Sequence, residues 1–438
     1  MRLDAFIDLL FNNVSVYIFT ACMVLSIYYL VFRKYIFNIL DISFFQNFVS
    51  SAFATSTVIF LFYCSEIKFI YILHYFFTIG VFYCVFLLCA KKVPKKNTLG
   101  IIPRHRVYIQ KKNISITFFT VFVLLSFSHC LYQLYIYLVA GIPVLLESRL
   151  SINLSGGVLM GFLYRVSGLF ITPAMLMCWY IVYLGRKWQR LYGCIYLSLL
   201  FVFAFLSGSK GAILNLFFVF TTFVFFSQNY NVKGVRFLQS SRMIIVIVSI
   251  VCLTLVIIVI QNRGNLLSAI QHLFLRLSAY GDGYVYGYPN DNLTKMVKIK
   301  LLDFLFGDLL HTFRLSATDR GVGYGFSLID IVYGIPGATS GPNPRFNLVG
   351  YSYFGFWGSV VIAAFAGGIF ALGRNLFIGC VDKSPVHQVI CYYVFSMVNF
   401  IETDIIQVVT NLTTNFFLHT IIFLVGYFLL RFSSSKSQ

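Results

Sequence analysis

Long apolar runs separated by short polar connections make up most of this chain. Several runs reach or approach the roughly eighteen apolar residues that cross a bilayer as a helix. The runs are continuously apolar and do not alternate with polar residues, which excludes a membrane β-barrel. The pattern therefore predicts an all-α polytopic integral membrane protein with about 11 (10–12) transmembrane helices. The predicted spans are 14–32, 44–63, 69–90, 114–139, 161–184, 191–207, 211–227, 243–261, 354–373, 386–400 and 416–430.

One connection, residues 262–353, is far longer than the others. It holds eight Lys and Arg, six Asp and twelve Gly. A connection longer than about fifteen residues is usually functional or disordered, and the Tyr, Phe, Leu and Ile found throughout this one argue against disorder. We expect three parts: a membrane domain of about eight helices over 1–261, a folded loop over 262–353 that forms much of the active site, and a C-terminal membrane segment of about three helices over 354–438, which ends in a cytoplasmic tail.

Composition supports this class of protein. The chain is 59% hydrophobic and 11% charged, whereas a soluble domain is about a quarter charged. Its net charge of +19 is typical of the basic loops that set membrane orientation, so nucleic acid is not an expected partner. The 91–113 connection has eight Lys and Arg and no acid, which predicts a cytoplasmic location for it and places the long loop on the opposite face. The ten cysteines fall in or beside apolar runs and are interpreted as packing residues without a disulfide framework.

Five cationic residues on the predicted outer face are candidates for binding an anion. A charge inside a span is costly and usually functional, as at Arg165, although the side chain could also snorkel to the interface. Lys210 follows a Ser-Gly-Ser turn at a helix start, a place that suits an anion and that is also a common connector. Arg276, Arg314 and Arg345 lie in the long loop and carry the forked donors that match phosphate oxygens.

Acids and bases on the same face are candidates for a general base. The candidates are Asp282, Asp319 and His311, although each type is more often simply solvated or paired. Glu402 and Asp404 form the nearest approach to a paired acidic motif, which is poor grounds for a metal site. Zinc spacing, a P-loop and a dinucleotide-binding glycine pattern are all absent from the sequence, so no metal and no nucleotide cofactor are expected.

Several of these features together resemble the Wzy-type O-antigen polymerases. They are the number of spans, the large outer loop between the eighth and ninth spans, the Gly-Ser-Lys turn, and Ser340-Gly-Pro-Asn before an aromatic, glycine-rich span. Two stretches of the loop, Arg276 to Gly287 and Arg314 to Gly325, share seven of twelve positions and have the Arg-x10-Gly form of that family. In some members these stretches lie in two separate loops, and Arg often stands where this chain has Lys210.

The resemblance implies a GT-C-like glycosyltransferase in the bacterial inner membrane with its site facing the periplasm. Such an enzyme moves a growing glycan from undecaprenyl pyrophosphate onto the next lipid-linked repeat unit. Clustered Arg and Lys would stabilise the leaving pyrophosphate, and a single base would deprotonate the acceptor hydroxyl. The partners implied are the lipid-linked oligosaccharide and the bilayer, with contact to a chain-length regulator left open.

Two other functions remain open at this stage. An O-antigen ligase shares the architecture and carries a catalytic His beside Arg in the large loop, a pattern that His311 near Arg314 matches. A lipid-linked oligosaccharide flippase or other transporter predicts two similar halves with short loops, and the long 262–353 loop argues against it.

Overall fold

The computed structural model is helical in every element that it describes. It describes residues 1–37, 40–93, 114–145, 157–207, 209–227, 278–312, 315, 323–334 and 341–422. Strands are absent from those ranges, in agreement with the predicted all-α class. Eight helices are long and apolar enough to cross a membrane, which confirms a multi-pass α-helical membrane protein. They are Val14–Phe32, Phe44–Tyr63, Phe69–Cys89, Ile116–Val139, Met160–Leu184, Lys187–Leu206, Phe346–Gly379 and Ile405–Ile422.

The predicted total of eleven spans stays a prediction. Two further apolar runs form shorter helices, Gly211–Phe226 and Pro385–Val398, and the predicted span 243–261 lies outside the described residues. The α-helices are α1 Leu3–Asn12, α2 Val14–Phe32, α3 Ser50–Tyr63, α4 Phe69–Cys89, α5 Ile116–Val139, α6 Gly157–Leu184, α7 Lys187–Leu206, α8 Lys210–Phe226, α9 Asp282–Gly287, α10 Leu301–Thr312, α11 Tyr324–Tyr333, α12 Phe346–Gly379, α13 Pro385–Val398 and α14 Ile405–Thr410.

Single residues with known capping preferences mark where several helices begin and end. The side chain of Ser115 accepts a hydrogen bond from the Phe118 N–H and caps the start of α5, and Asp404 does the same for α14 through the Gln407 N–H. Pro385 occupies the first turn of α13, where its missing N–H costs nothing. Gly334 ends α11 in the left-handed conformation that favours glycine.

Helix α12 is broken near its start. The sequence predicts a span beginning at 354, whereas the helix begins at Phe346 and changes direction at Gly355, whose φ is +74°. A Cβ is strongly disfavoured at such an angle. The segment before the break is buried, with Phe346, Leu348 and Val349 fully excluded from solvent. Residues 346–353, which the sequence assigned to the long loop, are therefore the start of this helix.

The C-terminal helices also differ from the sequence prediction. Helix α13 has 14 residues, about 21 Å of helix, which is shorter than the ~30 Å hydrocarbon core of a bilayer. A turn follows in which Asn399 and Glu402 are completely buried. The next helix begins at Ile405 and continues through a π-helical turn, Asn411–Asn415, as far as Ile422. The sequence left 401–415 as a connection and started the last span at 416, and this start is wrong because the helix already begins at Ile405.

The described part of the long loop is folded and reaches into the bundle. Tyr284, Val285 and Leu293 are fully buried, and Tyr284 stacks edge-on against Tyr75 of α4. His74 of α4 contacts the Tyr288 hydroxyl at 3.1 Å and the Ser359 hydroxyl of α12 at 2.8 Å. This segment is therefore part of the core between α4 and α12. The boundaries of the three predicted parts of the chain stay predictions.

Glycines of the loop mark points where backbones meet. A Cβ on Gly325 would overlap the carbonyl oxygen of Pro342, and one on Gly341 would overlap the backbone of Gly325. The start of α11 and the Gly-Pro-Asn-Pro turn before α12 are thus in direct backbone contact. Gly325 is the glycine that ends the second Arg-x10-Gly stretch, so close packing accounts for the residue type at that position.

A buried ion pair fixes the end of α12 to the segment that precedes α3. Arg374 of α12, 1% exposed, donates to both carboxylate oxygens of Asp41 and to the Tyr35 carbonyl oxygen.

Cys380 and Cys391 form a disulfide between the end of α12 and α13. The interpretation of every cysteine as a packing residue is wrong at these two positions, because the short turn between the helices brings the two sulfurs together.

Candidate functional site

A polar cavity of about 230 Å³ lies inside the helical bundle. Its walls come from the middle of α6, the middle of α8, the second half of α13 and the helix that starts at Ile405. An apolar bundle in a membrane has little reason to enclose polar side chains unless they have a function. The lining residues are Ile42, Tyr164, Arg165, Ser167, Gly168, Thr172, Met175, Asn215, Val219, Tyr392, Tyr393, Ser396, Met397, Phe400, Gln407, Asn411, Asn415 and His419.

Arg165 is the charged residue of this lining, and a carboxylate from the long loop pairs with it. One guanidinium nitrogen donates to Oδ2 of Asp308 and a second donates to Oδ1 at 2.9 Å. The side chains are 12% and 18% exposed, respectively. Asp308 belongs to α10, which also packs on residues 405–415. The bidentate pair therefore joins the loop to the bundle at the cavity wall.

A histidine and a tyrosine form a hydrogen-bonded pair on the same wall. Nε2 of His419 lies 3.1 Å from the carbonyl oxygen of Arg165, and Nδ1 contacts the hydroxyl of Tyr393. A carbonyl oxygen only accepts, so Nε2 carries the proton and Nδ1 accepts from the tyrosine O–H. His419 is 4% exposed, and Tyr393 is partly exposed.

Carboxamides line the opposite part of the cavity. Asn411 accepts from both Gln407, at 3.1 Å, and Asn415, at 2.8 Å. Its own amide group donates to the carbonyl oxygen of Met397, also at 3.1 Å. Side chains of this kind both donate and accept hydrogen bonds, which suits the hydroxyl groups of a sugar. The π-helical turn Asn411–Asn415 is a local distortion of a type often found at functional sites.

A second cluster of charge lies deeper in the protein around Arg345. This residue is 2% exposed and is ion-paired with Glu402. It also donates to the carbonyl oxygen of Tyr280 at 3.0 Å and to the Ser50 hydroxyl at 2.6 Å. Ser51 donates to the same Glu402 oxygen at 2.7 Å. Arg345 thus fastens α3, the start of α12, the 399–404 turn and the long loop to one another.

Burial changes the titration of the acids near Arg345. It raises the pKa of Asp282 to about 7, although the Gly283 N–H and the Arg345 charge oppose the rise. Burial likewise raises the pKa of Glu402, against the opposing charge of Arg345. By contrast, hydrogen bonds from Lys68 and Tyr71 lower the pKa of the surface carboxyl of Asp291. Asp282 therefore titrates in the range that suits a general base, but it is not part of the cavity lining.

The structure separates the residues predicted from the sequence. Arg165 lines the cavity, whereas Arg345 and Asp282 belong to the deeper cluster. Lys210 begins α8, a helix that contributes Asn215 and Val219 to the cavity, and its side chain lies outside the description. Pyrophosphate binding and base catalysis by these residues stay predictions. The side chain of His311, in α10, and all of Arg276, Arg314 and Asp319 lie outside the described residues.

Sequence reasoning missed two residues that line the cavity, Tyr393 and His419, and the partner of its charged residue, Asp308. Asp308 was counted only among the acids of the loop, and Tyr393 and His419 were counted as span residues. The rule applied to Arg165, that an ionisable group within a span is functional by default, would have selected His419 as well. Tyr393 carried no such signal, because tyrosine is abundant in this chain, with 29 copies.

Within the described ranges, no three His, Cys, Asp or Glu side chains gather as a metal site would require. Comparison of the chain with models of known protein families, with curated protein sequences and with solved structures gives no match. The function therefore has to be argued from the cavity and its chemistry.

Proposed function

We propose that this chain is a membrane-embedded glycosyltransferase that polymerises lipid-linked oligosaccharide repeat units, as O-antigen polymerases do. It moves the growing glycan from undecaprenyl pyrophosphate onto the next lipid-linked unit. Its setting is the bacterial inner membrane, with the reaction at the periplasmic face. The reaction needs no nucleotide, because the pyrophosphate linkage is already activated, and the proposal assigns no role to a metal.

The observation that carries this proposal is the cavity of the helical bundle, whose charged lining residue, Arg165, pairs with Asp308 of the long loop. A substrate with a hydrocarbon tail and a sugar head needs a polar chamber among apolar helices. The volume of about 230 Å³ is below the ~300 Å³ at which pockets for drug-sized ligands begin. It therefore suits one sugar ring at the reacting position, with the rest of the glycan outside.

The charges at the cavity support a leaving group that becomes negative. Arg165 is held by Asp308 in a fixed orientation, so the site need not reorganise when charge develops at the pyrophosphate oxygen. In the proposed reaction, the nearby turn that begins α8 supplies Lys210 as a second cation. The amides of Gln407, Asn411 and Asn415 orient the sugar hydroxyl groups.

A gel of surface polysaccharide from a deletion strain tests the proposal in the cell. Loss of the polymerase predicts core carrying a single repeat in place of a ladder. Complementation with Arg165→Ala should leave that pattern, while Lys383→Ala, at an exposed position, should restore the full ladder. An unchanged ladder in the deletion strain would overturn the proposal.

A transporter of lipid-linked oligosaccharide is the second candidate, because two features of the fold favour it. Helix α12 is interrupted at Gly355, and α13 is too short to cross the membrane alone. Broken helices are typical of transporters. That function predicts core with no repeat at all in the deletion strain, as loss of a ligase also does. Accumulation of repeat units on the cytoplasmic side would then separate the transporter from the ligase.

A further inference from the structure

The cavity lining includes a series of hydrogen bonds that has no part in the charge stabilisation assigned to Arg165. It runs from the Tyr393 hydroxyl to Nδ1 of His419, and from Nε2 of His419 to the carbonyl oxygen of Arg165. Both side chains line the cavity. A reactive group, a base bonded to it and a third group that orients the base form the arrangement by which enzymes activate a hydroxyl.

The donors and acceptors of these hydrogen bonds fix the direction in which a proton can move. The backbone carbonyl holds the Nε2 proton, so the free lone pair of the imidazole points at the tyrosine O–H. The hydroxyl oxygen of Tyr393 keeps lone pairs that can accept from a third molecule. When Nδ1 is protonated, the Arg165 carbonyl oxygen still accepts from Nε2.

We propose that Tyr393 and His419 form the proton relay that deprotonates the acceptor hydroxyl. The acceptor oxygen bonds to the anomeric carbon of the donor glycan as the bond from that carbon to the pyrophosphate oxygen breaks. The acceptor proton passes to the Tyr393 oxygen while the Tyr393 proton passes to Nδ1 of His419. The electron pair of the broken bond leaves with the pyrophosphate. This inference rests on the proposed function and gives the role of general base to residues other than Asp282, Asp319 and His311.

A second His–Tyr pair in the same chain provides a matched control. Nδ1 of His129, in α5, contacts the Tyr196 hydroxyl of α7 at 2.7 Å, and neither residue lines the cavity. Removing the hydroxyl at Tyr393 or at Tyr196 breaks the same kind of hydrogen bond between neighbouring helices. Only the change at Tyr393 should affect the chemistry.

The test measures turnover of purified full-length protein in vesicles supplied with lipid-linked repeat units. Tyr393→Phe and His419→Asn should each lower kcat by about 100-fold or more, within the range of general acid–base catalysis, and leave KM little changed. Tyr196→Phe should retain wild-type turnover. The wild-type rate should fall at acid pH as His419 takes up a proton, and His419→Asn should lose that dependence.

The outcomes separate the relay from the proposed function. A wild-type protein that builds no polymer overturns the proposed function. An active wild-type protein together with a fully active Tyr393→Phe variant overturns the relay alone. If Tyr393→Phe fails to reach the membrane, His419→Asn decides, since Asn keeps an acceptor for the tyrosine but cannot take its proton. Full turnover in that variant also overturns the relay.

Discussion

At the scale of single residues, this protein buries charges in pairs. Arg165 meets Asp308, Arg345 meets Glu402 and Arg374 meets Asp41. A lone charge away from water costs several kcal/mol, and a partner with good geometry offsets that cost. The pairs differ in setting, because Arg165 lines the cavity whereas Arg345 and Arg374 are at most 2% exposed. We therefore expect loss of Arg345 to affect folding first and catalysis second.

Removing one partner of the Arg345–Glu402 pair should be strongly destabilising. Glu402→Ala leaves the guanidinium buried without its counter-charge, which costs about 3–5 kcal/mol. The double variant Arg345→Met with Glu402→Leu should lose less than the sum of the single changes. Thermal melting in detergent measures each variant. Strictly additive effects would contradict the energetic coupling of the pair.

The stability of the fold should depend on pH through Asp282. Burial raises the pKa of its carboxyl to about 7, whereas the unfolded chain releases that proton near pH 4, at about the ordinary value. Between these two values the folded state holds a proton that the unfolded state has lost, so stability falls as pH rises from about 4 to about 7. Above about pH 7, the Asp282 carboxyl causes no further change in stability. Melting curves of the wild type and Asp282→Asn across this range measure the effect, and equal slopes for the two proteins would contradict it.

At the scale of elements, the long loop is tied to the bundle through close backbone contacts. Gly325 at the start of α11 touches the Gly341-Pro342 backbone, whereas Gly307 within α10 has open space where a Cβ would stand. The two glycines lie in neighbouring helices of the same loop. Alanine at Gly325 adds a methyl group where backbone atoms already stand, and alanine at Gly307 adds one in open space. Comparing the two variants separates the effect of crowding from the effect of the added methyl group.

Alanine at these two positions should act in opposite directions. Gly325→Ala forces the loop backbone apart and should lower the melting temperature and expose α11 to protease. Gly307→Ala replaces a helical glycine in open space and should raise stability by up to about 1 kcal/mol. Limited proteolysis and melting in detergent measure both. A tolerated Gly325→Ala would show that the contact with the Gly341-Pro342 backbone does not hold the loop in place.

The helix boundaries show which parts of the fold could be predicted from the sequence. Continuous apolar runs predicted α2, α4 and α5 almost to the residue, because lipid demands length and hydropathy alone. The pattern could not show that Phe346–Phe354 is a buried helix or that the last described helix starts at Ile405. Those segments pack against protein, where polar residues such as Asn347 and Gln407 find partners and the hydropathy signal fades. Arg165 was found as an isolated charge, whereas its partner Asp308 is brought to it only by the fold.

At the scale of the whole molecule, the described parts of the long loop pack against the helices of the bundle. Asp308 of α10 pairs with Arg165 at the cavity wall, while α9 and the residues after it pack into the core between α4 and α12. In the proposed function, this cavity receives the sugar head of the lipid-linked substrate. The packing of the loop also explains why the longest connection of the chain is rich in aromatic residues.

Polymerisation by the purified protein tests the central claim most directly. The full chain would be reconstituted in vesicles with undecaprenyl-pyrophosphate-linked repeat units, without nucleotide, and the products separated by length. The account predicts a ladder of products with two or more repeats, which Arg165→Ala abolishes and Lys383→Ala preserves. Repeat units that keep their original length in the presence of folded wild-type protein would contradict it.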